Sequence, residues 1–173
     1  MELLERDGAL EAVGGALDEA ASGTGRVVLV AGEAGIGKTS LLGVVPQAHG
    51  EGRRFLMGAC DPLLTPRALG PFHDIARQAG GALADAFRGD APREHLVAGL
   101  LDELGASPPR VLVVEDVHWA DEGTLDLLAL LGRRVGMTTG TLVATLRPDQ
   151  AGDRLRATLG ELPSAVEIGR AHV

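Results

Sequence analysis

The sequence lacks the features of secreted and membrane proteins. It contains one cysteine, Cys60, so no disulfide can form within the chain. No apolar run approaches the roughly 18 to 20 residues that a membrane-spanning helix requires. The N-terminal stretch does not show the charged, apolar and small-residue order of a secretory signal peptide. We therefore expect a cytoplasmic protein with no membrane partner.

A basic surface is also missing. The formal net charge is −8 at pH 7, whereas proteins that neutralise a nucleic-acid backbone carry clustered Lys and Arg side chains. Direct nucleic-acid binding by this segment is therefore not expected. Internal repeats and low-complexity linkers are absent as well, and 45% of the 173 residues are hydrophobic. Composition and length together predict one globular domain with a substantial core.

Strand-like and helix-like segments alternate along the chain. This alternation is typical of α/β proteins in which helices cover both faces of a parallel sheet. Runs such as "RVVLVA" and "RVLVVED" are typical of strands buried on both faces, and Pro and Gly residues separate them from helical segments. We predict strands over 26–31, 53–60, 110–116 and 140–146, and helices over about 2–20, 37–48, 92–104 and 121–135.

The stretch "GEAGIGKTS", residues 32–40, follows the first predicted strand and opens the second predicted helix. Its spacing satisfies the pattern G-x-x-x-x-G-K-[ST] of a phosphate-binding loop. In such a loop, backbone N–H groups point at phosphate oxygens and the helix N-terminus adds partial positive charge. A chance glycine-rich turn is the alternative, but the flanking strand and helix favour phosphate binding. The predicted binding residues are Gly32, Glu33, Ala34, Gly35, Ile36, Gly37, Lys38, Thr39 and Ser40.

Lys38 and Thr39 have separate predicted roles in this loop. A lysine ammonium at this place neutralises the outer phosphates of a nucleotide. The hydroxyl of Thr39 would be a ligand of Mg²⁺, which usually keeps several waters and also contacts the phosphates. The motif therefore predicts a nucleotide and Mg²⁺ together.

Two acids, Glu115 and Asp116, end the predicted strand 110–116. In a doubly wound sheet the C-terminal ends of the strands face the phosphates. One acid can hold Mg²⁺ through its waters while the other orients or deprotonates the attacking water, and either assignment fits the pattern. Two solvated acids at a strand end are the alternative. We predict both residues as catalytic and metal-binding.

Arg147 directly follows the predicted strand 140–146. A guanidinium at that edge can detect or stabilise charge on a γ-phosphate, because its planar fork suits phosphate oxygens. A surface salt bridge is the alternative. We predict no catalytic role for His118 or Trp119, which follow the two acids, and we expect Cys60 to be buried and unreactive.

Five stretches of the sequence carry a resemblance to a known family. They are "LLERDGAL", "VVLVAGEAGIGKTSLL", "GACDPLLTPRALGPFHDIA", "VLVVEDVHWADEGTLDLLALL" and "TLVATLRPDQ". Together they resemble the N-terminal ATPase module of large bacterial LuxR-type transcriptional regulators. That module is one of the AAA-like signal-transduction ATPases and is similar to origin-recognition ATPase domains. The likeness covers about residues 2–166.

The resemblance implies a P-loop NTPase fold, a three-layer α/β/α sandwich with a parallel sheet. It implies five core strands, with the strand before the phosphate loop in the centre, then the arginine-bearing strand and then the acidic strand. By the same resemblance Lys38 and Thr39 are the Walker A residues, Glu115 and Asp116 the Walker B acids, and Arg147 occupies the sensor position. Members use ATP and Mg²⁺ as a switch that is coupled to self-association. DNA is bound only through a C-terminal domain that this chain does not contain.

Two departures from the family pattern bear on function. Glu115 stands where related ATPases more commonly have Asp, and the extra methylene can displace the metal arrangement by about an ångström, enough to slow turnover. The last seven residues, "EIGRAHV", do not continue the pattern and match the in-frame translation of a widely used sequencing adapter. We therefore expect an incomplete ATPase domain over 1–166, a non-native tail over 167–173, and a last strand, starting near 165, that is missing or shortened. A natural but divergent C-terminus is the alternative for residues 167–173.

The sequence thus predicts an ATP-binding regulatory switch with slow Mg²⁺-dependent hydrolysis of ATP to ADP and phosphate. One alternative is a non-catalytic ATP-binding fragment, which Glu115 favours. Another is a small P-loop kinase or hydrolase, but the chain lacks an Arg-rich lid segment and offers no obvious acceptor-binding residues beyond Asp61 and His73. Measuring phosphate release separates the hydrolysing switch from the non-catalytic fragment. Measuring phosphorylation of an acceptor identifies the small P-loop kinase.

Overall fold

A single parallel sheet organises the chain. The computed structural model describes residues 3–35, 37–163 and 165–169. The strands are β1 (Arg26–Ala31), β2 (Arg54–Ala59), β3 (Arg110–Glu115), β4 (Thr141–Leu146) and β5 (Val166–Ile168). They lie in the order β2-β3-β4-β1-β5, and every neighbouring pair is parallel.

Within the residues that the structure describes, seven helices connect and cover these strands. The long Leu-rich helix after the acidic strand begins as predicted at Asp121, whose side chain accepts a hydrogen bond from the Thr124 N–H at 3.3 Å. Short 3-10 turns cover Val117–Trp119, Val135–Met137 and Pro148–Gln150. The helices are α1 (Leu3–Ala21), α2 (Lys38–His49), α3 (Gly70–Ala79), α4 (Gly81–Arg88), α5 (Arg93–Leu104), α6 (Glu122–Arg134) and α7 (Asp153–Gly160).

The sheet is buried on both faces, which explains its unbroken apolar strands. In β1, Val28 and Val30 belong to one apolar cluster, together with side chains of α1 and α2. Val27 and Leu29 belong to the cluster on the opposite face, which α3 to α7 supply. Because successive side chains of a strand alternate between faces, both sets must be apolar. The predicted three-layer α/β/α sandwich is confirmed.

The predicted strands and helices all occur, with ends that differ by a few residues. The expectation of a central strand before the phosphate loop was wrong, because β4 lies in the middle of the sheet and β1 lies between β4 and β5. The order of β1, the arginine-bearing β4 and the acidic β3 is as expected. Helices α3, α4 and α7 were not predicted.

The last strand is present but short. Val166, Glu167 and Ile168 pair with Val28, Leu29 and Val30, so β5 covers three of the six residues of β1. The strand is therefore not missing, as one form of the expectation had it; it is shorter than the other four strands, and it begins one residue from the expected place. Two residues of the predicted tail, Glu167 and Ile168, therefore lie in the sheet. Residues 170–173 lie outside the described residues.

The parallel arrangement brings the carboxyl ends of β1, β3 and β4 to one edge. The phosphate-loop motif follows β1, Glu115 ends β3 and Asp116 follows it, and Arg147 follows β4. In open α/β sheets this edge is where ligands bind. Among the described helices, none is both long and apolar enough to cross a membrane.

Candidate functional site

The loop between β1 and α2 depends on glycine. Gly35 has φ 75° and Gly37 has φ 99°, both in the left-handed region that other residues rarely adopt. A Cβ at Gly35 would meet no atom within 4 Å, so the constraint there is the backbone conformation and not crowding. Ile36, a predicted binding residue, lies outside the described residues.

Helix α2 begins without a capping side chain. Gly37 is its N-cap, and its first turn contains no acidic residue. The N–H groups of Lys38, Thr39 and Ser40 belong to that first turn, where no carbonyl of the same helix is within reach. Thr39 and Ser40 are exposed. The positive end of the helix dipole is therefore uncompensated by the helix itself, which favours an anion at this place.

Lys38 lies over the start of the loop. Its Nζ donates hydrogen bonds to the carbonyl oxygens of Gly32 at 2.5 Å and Glu33 at 2.9 Å. Burial lowers the pKa of Lys38, and Asp116 opposes this shift while Arg147 adds to it. Lys38 is also the only lysine of the chain. Its ammonium is thus held at the loop by carbonyl oxygens that phosphate oxygens can replace.

Asp116 has a left-handed backbone conformation, with φ 57° and ψ 49°. Non-glycine residues rarely adopt it, and it persists where the surroundings hold it in place. The Asp116 N–H donates to Thr145 Oγ1 at 2.9 Å, and the Asp116 carbonyl accepts from the Trp119 N–H at 2.9 Å. Thr145 is buried in β4. The acid is thus fixed to the neighbouring strand, and its charge acts on Lys38.

Glu115 has different surroundings from Asp116. It is the last residue of β3 and lines a groove between β2 and α3, together with Asp74, Arg77 and Gln78. Burial raises the pKa of Glu115, and the charge of Asp116 adds to the shift. The two adjacent acids therefore divide between the groove and the phosphate loop.

Arg147 forms a surface salt bridge and also lies near the phosphate loop, and these are the two alternatives that the sequence left open. Its guanidinium NH2 is 3.6 Å from Asp149 Oδ2, which is a salt bridge near the surface. Its charge also shifts the pKa of Lys38, so it lies near the phosphate loop. The Arg147 N–H donates to His118 Nδ1 at 3.2 Å.

Three of the predicted site residues come together: Lys38, Asp116 and Arg147. Sequence reasoning missed His118 and Thr145, whose hydrogen bonds join the ends of β3 and β4. For His118 a signal existed, since it lies within "EDVHWAD", one of the most specific stretches of the sequence. No comparable signal marks Thr145.

The described residues contain no ready-made metal cage. No three His, Cys, Asp or Glu side chains converge within them as a possible cation site. Mg²⁺ binds proteins through one or two carboxylates and takes its other ligands from phosphates and water, so it does not require such a cluster. Thr39, Glu115 and Asp116 offer oxygen ligands of that kind.

Comparison with known proteins fits this geometry. The family model described as AAA ATPase domain matches residues 2–145. The chain belongs to this family. The AAA ATPase domain is also 29% identical over 199 aligned positions to an uncharacterized protein of Rhizobium meliloti (strain 1021), covering 90% of this chain and 19% of the relative. The chain thus spans about a fifth of that relative.

Solved structures show the same fold for this AAA ATPase domain. Cdc6p from Pyrobaculum aerophilum is similar with a TM-score of 0.69 and 19% identity, over 96% of this chain and 46% of that one. A chain in the structure of Drosophila ORC bound to AT-rich DNA and Cdc6 has a TM-score of 0.55 and 16% identity, over 95% of this chain and 57% of that one. The similarity concerns architecture, and this chain spans about half of each.

Proposed function

We propose that this AAA ATPase domain binds ATP with Mg²⁺ and acts as a nucleotide-dependent regulatory switch. One observation carries the proposal: Lys38, at the uncapped start of α2, meets the charge of Asp116, which directly follows β3, at the carboxyl edge of the sheet. Backbone N–H groups and an ammonium bind phosphates, while the carboxylate suits a metal ion. The residues present therefore fit both ligands.

The proposed roles follow from the surroundings of each side chain. Lys38 exchanges its bonds to Gly32 and Glu33 for bonds to phosphate oxygens. Thr39 and Asp116 hold Mg²⁺, directly or through its waters, and bound Mg²⁺ neutralises charge on the phosphate oxygens. We assign the attacking water to Glu115, which has to reach it from the groove beside α3; burial raises the pKa of Glu115, and a more basic carboxylate is the better proton acceptor. Hydrolysis is slow in this proposal because Glu115 lies in that groove and not at the phosphate loop.

The regulatory part of the proposal rests on the resemblance to LuxR-type transcriptional regulators. The Rhizobium meliloti relative is much longer than this chain, which covers 19% of it. We place self-association and DNA binding in the full-length protein, with DNA bound through a C-terminal domain. The acidic charge of this segment supports that division, since −8 disfavours direct contact with phosphate backbones. The proposed location is the cytoplasm.

Titration of a fluorescent ATP analogue with Mg²⁺ tests the proposal, with phosphate release followed in the same samples. The Lys38→Ala variant is compared with Arg88→Ala, which removes one positive charge from an exposed position on α4. We expect at least about tenfold weaker binding for Lys38→Ala, because charge-assisted hydrogen bonds to phosphate are lost, and unchanged binding for Arg88→Ala. Equal binding by the two variants, or no binding by the wild type, would refute the proposal.

Phosphate release then separates a hydrolysing switch from a binding-only module. We expect slow release from the wild type and none from Asp116→Asn. ATP binding without phosphate release would support the nucleotide site and would contradict the hydrolytic part of the proposal.

A further inference from the structure

His118 connects the two strand ends that flank the phosphate loop. It lies in the 3-10 turn Val117–Trp119, directly after the acids of β3. Its Nδ1 accepts a hydrogen bond from the backbone N–H of Arg147, at the end of β4, with a distance of 3.2 Å. The imidazole therefore holds a fixed position between Asp116 and Arg147.

This hydrogen bond fixes the tautomer of the ring. A backbone N–H can only donate, so Nδ1 carries no proton, and the proton of the neutral ring is on Nε2. Nε2 is shielded from solvent and has no hydrogen-bond partner within the described part of the chain. His118 thus presents a buried donor whose acceptor is not among those residues. A buried donor without an acceptor costs free energy, so a small movement that uncovers Nε2 for an acceptor from outside is favoured.

Arg147 adds a second donor of the same kind. Its Nε is also shielded from solvent and without a partner among the described residues, while its NH2 pairs with Asp149. Lys38 and Asp116 both act on the charge of His118, which places the imidazole in the same cluster as the phosphate loop. Two unpartnered N–H donors beside a lysine ammonium match an anion with several acceptor oxygens, such as a terminal phosphate.

We propose that His118 reads the terminal phosphate of the bound nucleotide, by donating from Nε2 to a γ-phosphate oxygen while the Nε of Arg147 donates to the same group. This inference rests on the proposed function, because it needs a nucleotide at the loop. It explains how triphosphate and diphosphate can be told apart at this site. A diphosphate leaves both donors unpaired, whereas a triphosphate satisfies them and ties β3 to β4 through one ligand.

Two substitutions of His118 separate its two nitrogens. In His118→Asn the amide oxygen can replace Nδ1 as acceptor for Arg147, but nothing replaces Nε2. In His118→Gln the longer amide can place a donor near the position of Nε2. We would measure dissociation constants of fluorescent ADP and of a non-hydrolysable fluorescent ATP analogue, with Mg²⁺, and unfolding midpoints in urea for the same samples.

We expect the ratio of diphosphate to triphosphate dissociation constants to fall about tenfold or more in His118→Asn, with ADP binding within twofold of wild type, because a hydrogen bond to a charged group is lost. His118→Gln should retain most of the wild-type ratio. An unchanged ratio in His118→Asn, or an equal weakening of both nucleotides with a lowered urea midpoint, would overturn this inference alone. Failure of the wild type to bind either nucleotide would overturn the proposed function and this inference with it.

Discussion

At the scale of single residues, the left-handed conformation of Asp116 depends on Thr145. The Thr145 hydroxyl accepts the Asp116 N–H at 2.9 Å, and Thr145 is almost fully buried. Thr145→Val removes this acceptor without changing the shape of the side chain, so we expect the free energy of unfolding to fall by about 1 kcal/mol. Thr145→Ser keeps the hydroxyl and should lose less. Urea denaturation measures both, and a valine variant as stable as the serine variant would contradict this role for Thr145.

Cys60 offers a second prediction at this scale. Burial raises the pKa of its thiol to about 12, and the charges of Asp121, Asp116 and Asp61 add to the shift. The thiolate is the reactive form, so alkylation by iodoacetamide at pH 9 should be at least about a hundredfold slower in the folded chain than in urea. Similar rates in the two states would show that the thiol is exposed.

The raised pKa of Cys60 also determines the direction in which the free energy of unfolding changes with pH. Between pH 9.0, the ordinary value, and about 12 the unfolded chain releases the thiol proton while the folded chain retains it. The free energy of unfolding should therefore fall over this interval. Cys60→Ala, which has no thiol to titrate, is the matched control and should show a smaller fall.

At the scale of elements, the exposed edge of β2 is covered by a side chain of α3. Gln78 Oε1 accepts the Met57 N–H at 2.9 Å, and Gln78 Nε2 donates to the Met57 carbonyl at 2.6 Å. At Met57 the amide thus makes the pair of hydrogen bonds that a further strand would make. An uncovered edge is a template for pairing between chains.

Gln78→Ala should therefore lower stability and increase aggregation. We expect a loss of about 1 to 2 kcal/mol for two hydrogen bonds, together with faster growth of light scattering at high concentration. Gln47→Ala, on the exposed surface of α2, is the control and should behave as the wild type. Equal scattering from the two variants would mean that Gln78 does not protect the edge.

Elements with strong local signals were predictable, and those without them were not. The strands β1, β3 and β4 are apolar runs, so their places follow from the sequence. Helices α3 and α4 begin at Gly70 and Gly81 and are only 10 and 8 residues long. Glycines and a proline at their starts resemble loop residues. The helices form because their apolar faces are buried, that of α3 against β2 and β3 and that of α4 against α3 and α5. Tertiary burial, and not local helix propensity, determines that α3 and α4 form.

The candidate functional site also has a part that the sequence predicts and a part that it does not. The phosphate loop was predictable because its residues are contiguous and its glycines meet a local backbone requirement. The bonds from Asp116 to Thr145 and from Arg147 to His118 each join residues 29 positions apart. They exist because β3 and β4 are neighbours in the sheet, which no local pattern specifies. The resemblance to a family supplied the order of β1, β4 and β3 but not these contacts.

At the scale of the whole molecule, the contribution of β5 to the fold can be measured. Ile168 is buried in the apolar cluster that α1 and α2 cover, although it belongs to the predicted non-native tail. Ile168→Ala should lower the free energy of unfolding by about 2 kcal/mol or more, whereas the exposed Glu167→Ala should change it by less than about 0.5 kcal/mol. Equal urea midpoints for the two variants would mean that β5 does not stabilise the sheet.

The measurement that tests the central claim most directly uses Lys38 as the only lysine of the chain. An amine-reactive reagent can modify only this side-chain amine, and the α-amino group provides an internal reference in mass spectrometry. Our account predicts that ATP with Mg²⁺ slows modification of Lys38 at least about tenfold, because the ammonium is bound to phosphate oxygens, while adenosine gives no protection. Equal rates with and without ATP would contradict the claim that this loop binds the nucleotide.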